Sequence, residues 1–136
     1  MTWNVNASKD EIGVLMEAGI VYRESGKFAE ARQVFEGVQA LLPKSDAARV
    51  ALGTVDFQQG DFEGAARHYR LALELNPRSA YAQAHLGEVE IFRKDKEKAR
   101  EHLREAIRLD PHGTFGKFAR SLLKLADVVQ YKEEAV

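Results

Sequence analysis

Cysteine is absent from this 136-residue sequence. Disulfide scaffolds and thiolate metal sites are thereby excluded, and the composition fits a reducing compartment. An excess of charge is missing as well. The 20 basic and 21 acidic residues leave a formal net charge of -1 and are spread along the chain, which argues against a nucleic-acid stripe or a basic membrane-seeking face. No segment approaches the ~20 apolar residues of a membrane span, and the opening MTWNVNAS has no basic region followed by an apolar run. The expectation is a cytoplasmic protein whose partners include neither nucleic acid nor membrane. Catalytic signatures are also lacking: there is no Gly-rich phosphate loop, paired-His metal motif or nucleophile elbow. Of the four histidines, His68 and His102 stand 34 residues apart while His85 and His112 stand alone, so ligand spacing within a helix is absent and they read as surface or groove residues. The carboxylates read as solubilising pairs such as Glu97 with Arg100 or Glu101 with Arg104. No catalytic residue, metal ligand or cofactor is assigned, and no enzyme activity is expected.

Prolines number only three, and their places show what the chain does contain. Pro43, Pro77 and Pro111 step by 34 residues, and Gly19, Gly53 and Gly87 keep the same step, as do Ala31, Ala65 and Ala99. No gap is needed, so residues 12–45, 46–79 and 80–113 are three copies of one supersecondary unit, the signature of a solenoid. With 45% hydrophobic and 30% charged residues, residues 1–136 suit one domain with a continuous core between stacked repeats. A glycine inside a helix costs about 1 kcal/mol relative to alanine, so three in register imply close approach of a facing helix. The alanines read the same way from the other side, where a larger side chain would overpack the contact. Each proline follows an apolar helical run and ends it, because it lacks an amide hydrogen and disfavours helical geometry in the residue before it.

Read in order, Ser8-Lys9-Asp10-Glu11 is a capping box, and the spacing predicts a first helix to about Ser25 with Ile12, Leu15, Ala18, Gly19 and Tyr22 on one stripe. The chain turns at Gly26, and a second helix runs from Phe28 to Leu41. The middle copy turns at Gly60-Asp61, with Asp61 as N-cap, and closes at Asn76-Pro77. The third copy departs most: Lys94 replaces the turn glycine, Lys96 replaces the aromatic of Phe28 and Phe62, and Glu90, like Asp56, stands where the first copy has Tyr22. Looser packing is expected there, and the mixed-sign run Arg93 to Lys98 reads as a solvated turn. A seventh helix is predicted over 114–131, followed by a frayed tail. Its apolar face, from Phe115 to Val129, covers more than half the circumference, so part of it is expected to meet something besides the last repeat. Trp3 is either a packing anchor over the first repeat or part of an oligomer contact.

The middle copy carries Leu52-Gly53, Gly60-Asp61-Phe62, Ala65, Tyr69, Ala72 and Asn76-Pro77, and in these residues the sequence resembles the tetratricopeptide repeat family. The resemblance implies an all-α, right-handed superhelix of three helical hairpins and a C-terminal capping helix. It also implies protein binding on the inner face. There the inner-facing places fall on Met16, Ile20, Arg23, Val50, Thr54, Phe57, Tyr81, Ala84, His85, Glu88, Ile91 and Phe92, continued by Phe115, Phe118 and Leu122. Most are apolar, which suits an extended apolar peptide of a partner protein, although some are expected simply to pack between repeats.

Family members that grip the carboxylate tails of heat-shock chaperones use a clamp of Lys, Asn and Arg. The matching places here hold Met16, Ile20, Ala51, Tyr81 and His85, so that clamp is missing. Ser25-Gly26-Lys27-Phe28-Ala29-Glu30-Ala31 with Val34-Phe35 is similar to the first repeat of the small type III secretion chaperones, which hold hydrophobic translocator segments and end in an extra helix. Those chaperones carry a longer amino-terminal helix used in dimerisation, whereas 11 residues precede the first repeat here. The function implied is an adaptor or secretion-type chaperone. The alternative is a self-assembling scaffold, with a homodimer among the expected partners.

Overall fold

The computed structural model describes the backbone of residues 8–134 and the side chains of residues 8–128; Trp3, expected as an anchor or an oligomer contact, lies outside the described residues. Seven helices and no strand are found among them: α1 (Lys9–Glu24), α2 (Phe28–Leu41), α3 (Asp46–Gln58), α4 (Phe62–Leu75), α5 (Ala80–Phe92), α6 (Lys96–Leu109) and α7 (Thr114–Glu134). The last runs three residues beyond the expected end at 131. Local chemistry sets the boundaries. The Ser8 hydroxyl accepts the Glu11 amide at 3.2 Å, the forward bond of the expected capping box, and donates to the Glu11 carboxylate at 3.1 Å. The first two proline turns end in the cap of the next helix, since Ser45 accepts from the Ala47 amide and Ser79 from the Ala82 amide, while after Pro111 the Phe115 amide donates back to the Asp110 carboxylate at 3.1 Å. Within the hairpins, Gly26 and Gly60 take left-handed φ values of 76° and 81°, which glycine adopts without steric cost. Lys94 adopts the same conformation, φ 63°, at the matching place. The third hairpin therefore keeps the turn geometry despite its altered sequence, at the strain a side chain incurs there.

The markers act as their spacing requires. A methyl group added at Gly19 would overlap the Phe35 ring, one at Gly53 the Tyr69 ring and one at Gly87 the Leu103 side chain, so each glycine admits the large residue of its own hairpin partner. Phe35, Tyr69 and Leu103 are fully buried in turn, as are Ala31, Ala65 and Ala99. Gly37, by contrast, has nothing within 4 Å of where its Cβ would be. Gly37→Ala is therefore expected to stabilise the protein by about 1 kcal/mol through helix propensity alone, whereas Gly53→Ala should destabilise it by ~1–3 kcal/mol through overpacking against a ring that cannot move aside. Thermal midpoints that fall for both variants, or rise for both, would contradict this account.

The helices form two layers of different density. α1, α3, α5 and α7 each touch the next, whereas α2, α4 and α6 do not touch one another. The stack must bend so that α1, α3, α5 and α7 lie on the concave side. Three cores fill the seams: one around Phe35 and Val55, one around Tyr69 and Val89, and one around Leu103 that α7 completes with Ala119, Leu122 and Ala126.

Three expectations are corrected here. Leu15 and Tyr22 are exposed rather than packed, because none of the described residues covers the outer side of α1. Val14 and Val21 are 65% and 61% exposed, while the residues 34 positions on, Ala48 and Val55, are fully buried, Val55 in the core it shares with Phe35 of α2. Arg100 turns away from Glu97 to donate to Asp127 on α7, where Lys96 also approaches at 3.6 Å. The wide apolar face of α7 is largely internal, since Phe115, Phe118 and Leu123 pack on the same core as Leu122, and among the described side chains of that face Leu125 and Val128 remain exposed.

Candidate functional site

The concave surface carries the side chains that the packing of α1, α3, α5 and α7 leaves over. Of the fifteen residues expected to line it, Val50, Thr54, Ala84, Ile91 and Leu122 are buried. Val50 belongs to the Tyr69 core and Ala84, Ile91 and Leu122 to the Leu103 core, so these four hold the wall together. Met16, Ile20, Arg23, Phe57, Tyr81, His85, Glu88, Phe115 and Phe118 are half-buried, and Phe92 is 51% exposed.

Aromatic rings organise the surface into two groups. Tyr81 stacks on Phe115 with ring centroids 4.7 Å apart, and His85 lies 5.1 Å from Tyr81 and 5.2 Å from Phe118, which ties α5 to α7. Phe57, Phe62 and Phe92 form a second group with centroid separations of 5.1–5.5 Å. Phe62 was not among the expected site residues. It begins an outer helix, and only the bend of the hairpin brings it beside Phe57; the signal that could have found it is its place directly after the turn at Gly60. Between the two groups lies a pocket of about 220 Å³ lined by Ile20, Arg23, Thr54, Phe57, Gln58, Tyr81, His85 and Glu88. Beside Ile20 and Phe57, polar groups of Arg23, Thr54, Gln58, Tyr81, His85 and Glu88 line it. Arg23 donates to Thr54 at 2.6 Å across α1 and α3, Thr54 passes its own proton to the Ala51 carbonyl at 2.6 Å, and His85 Nδ1 lies 3.1 Å from Glu88. Burial pushes the Tyr81 and Tyr69 phenols up, so both stay neutral.

A second polar arrangement sits in the repeat seams. Asp56 and Glu90 are buried where the first copy has exposed Tyr22. Asp56 meets Arg32 of α2 at 2.5 Å and His68 of α4 at 3.4 Å; Glu90 meets Arg93 at 3.1 Å, and Arg93 reaches Glu63 of α4 at 3.3 Å. These pairs satisfy carboxylates that the repeat geometry buries. His102, in the place of His68, lies 2.8 Å from Gln83. Burial holds both His68 and His102 below the ordinary value of 6.5, against the opposing pull of Asp56 on the first and Glu101 on the second. A histidine with a depressed folded value binds fewer protons than the unfolded chain just below pH 6.5, so stability is complete above that value and falls as the pH drops through the folded values. Urea midpoints are accordingly expected to decline as the pH is lowered below about 6.5, and His68→Gln with His102→Gln should flatten that part of the profile. An unchanged slope in the double variant would assign the decline elsewhere.

Among the described residues no group of His, Asp and Glu is arranged to hold a metal ion, and no helix is long and apolar enough to cross a membrane. A comparison with curated proteins finds no match. Solved structures share the fold. The first tetratricopeptide domain of Spaghetti (RPAP3) bound to an HSP90 peptide has a TM-score of 0.73 at 20% identity, with 94% of this chain and 99% of that one covered. The Yersinia enterocolitica type III secretion chaperone SycD, in complex with a peptide of the translocator YopD, has a TM-score of 0.71 at 18% identity over 90% of this chain and 97% of that one. A Thermobaculum terrenum O-GlcNAc transferase matches at a TM-score of 0.73 and 24% identity, over 89% of this chain but only 23% of the enzyme. A model of the tetratricopeptide repeat family matches residues 16–73 and, overlapping them, 50–114. The chain belongs to the tetratricopeptide repeat family.

Proposed function

We propose that the protein is a non-enzymatic interaction module that holds an extended apolar segment of a partner protein along its concave face, in the manner of a cytoplasmic adaptor or secretion-type chaperone. The observation that carries this reading is the half-exposed aromatic lining, Tyr81, Phe115 and Phe118 at one side and Phe57, Phe62 and Phe92 at the other. Rings left with one face in water gain by covering it, and flanking apolar side chains such as Met16 and Ile20 extend the surface without adding charge. Support by similarity comes from two proteins of the same fold solved with peptides, SycD and the RPAP3 domain. The test is selection from a displayed library of random twelve-residue peptides. Enrichment of sequences with spaced large apolar residues, competed by free peptide of the same sequence, is expected; a library that yields no reproducible sequence would overturn the reading.

A self-assembling scaffold is the second reading, favoured by the uncovered Val14 and Val21 on α1 and by Leu125 and Val128, 43% and 52% exposed, on α7 at the other end. It requires a mass that grows with concentration in light scattering without any peptide, and a monodisperse monomer would end it.

A further inference from the structure

Arg23 is the one cationic residue in the central pocket, and it has no counter-ion among the described residues. In the repeat register its place is taken by Phe57 in the second copy and Ile91 in the third, so a guanidinium interrupts an otherwise apolar row. Of its donors only Nη1 finds an acceptor, the neutral Thr54 hydroxyl, while Nε is buried without one. The Tyr69 hydroxyl, within electrostatic reach of Arg23, is a second buried donor without a partner. The carboxylate nearest in the pocket, Glu88, is engaged by His85 instead.

An apolar segment lying across this pocket would strip the remaining water from an unpaired cation and return nothing. A segment that brings a carboxylate supplies the missing acceptor, and the planar fork of a guanidinium matches a carboxylate better than it matches a hydroxyl. The pocket lies between the two aromatic groups rather than beyond either, so the acid has apolar neighbours on both sides in the partner chain. We propose that Arg23 is the receptor for an aspartate or glutamate side chain within the apolar segment that the groove binds. The assignment rests on the groove reading above and adds to it a selectivity rule: apolar anchors set the affinity, and a single internal acid sets the register. Other apolar segments are rejected because they leave the guanidinium desolvated and unpaired.

The experiment uses the full chain and a library of random twelve-residue peptides, displayed either with both ends tethered or with a free carboxyl terminus. The tethered library is expected to give apolar sequences with Asp or Glu at one fixed place. A synthetic peptide of that sequence should lose about tenfold or more in affinity on changing the acid to its amide, the scale of a charged hydrogen bond. Against Arg23→Met, which keeps the alkyl stem, the acid and amide peptides should bind alike, and Arg23→Lys should keep part of the difference; thermal melts establish that each variant is folded. Apolar sequences without a fixed acid would overturn this inference and leave the groove reading standing, as would an acid preference that survives in Arg23→Met. Enrichment only with a free carboxyl terminus would overturn the side-chain assignment in favour of a terminal carboxylate. No enrichment in either library would remove the groove reading itself.

Discussion

Removal of everything after Gly113 is expected to abolish cooperative unfolding of the whole domain. Helix α7 contributes Ala119, Leu122 and Ala126 to the Leu103 core and presses Phe115, Phe118 and Leu123 against it. It contacts both α5 and α6. Each large apolar side chain withdrawn from such a core costs ~1.5–3 kcal/mol, and several are lost together, against a total of about 5–15 kcal/mol for a domain. The truncation also strips Arg100 and Lys96 of Asp127. A solenoid of three hairpins has few interfaces over which to spread the loss. The measurement is a circular dichroism melt: a truncated chain that keeps a sharp transition near the full-length midpoint would show that α7 is an accessory. Leu122→Asp is the point version, with an unpaired charge placed in the same core.

Phe92→Glu is expected to lower affinity for a selected peptide by at least about thirtyfold, roughly 2 kcal/mol, while the melting midpoint stays nearly unchanged. Phe92 is half in water and meets only Phe57 and Phe62 among the rings, so a carboxylate there is solvated until the peptide covers it. Tyr81→Glu should lose as much binding but also stability, because Tyr81 packs on the Tyr69 core and stacks on Phe115. Phe57→Glu falls between them, being half-buried and packed on the same core. If Phe92→Glu binds peptide as the parent does, the second aromatic group lies outside the contact.

The three hairpins were legible because their markers answer to local geometry repeated in register. Gly53 facing Tyr69, Ser79 capping α5 and Gly60 at positive φ each need only neighbours that the sequence itself spaces. The concave surface was less legible, because which side chains remain uncovered depends on how adjacent hairpins rotate against each other. Val50 and Phe57 both lie on α3 and were read alike, yet one fills a core and the other faces the pocket. The role of Asp56 was hidden for the same reason. Its partners Arg32 and His68 come from different hairpins, and nothing in the spacing of one copy pairs them. Phe62 joined the candidate site through the bend at Gly60, which places an outer-helix residue at the edge of the inner face.

Among the described residues the outer side of α1 is uncovered, and this ties occupancy of the groove to local opening. Helix α1 is held by α2 and by a few contacts with α3, the Arg23–Thr54 bond among them, and nothing described backs Val14 and Val21. It therefore opens at lower free energy than α3 or α5, which are packed on both flanks. Yet Met16, Ile20 and Arg23, one wall of the groove, ride on this helix. A segment bridging α1 to α5 would thus act as a latch as well as a cargo: the energy of binding is shared with the closing of the first hairpin, and loss of cargo leaves that hairpin the first to come undone.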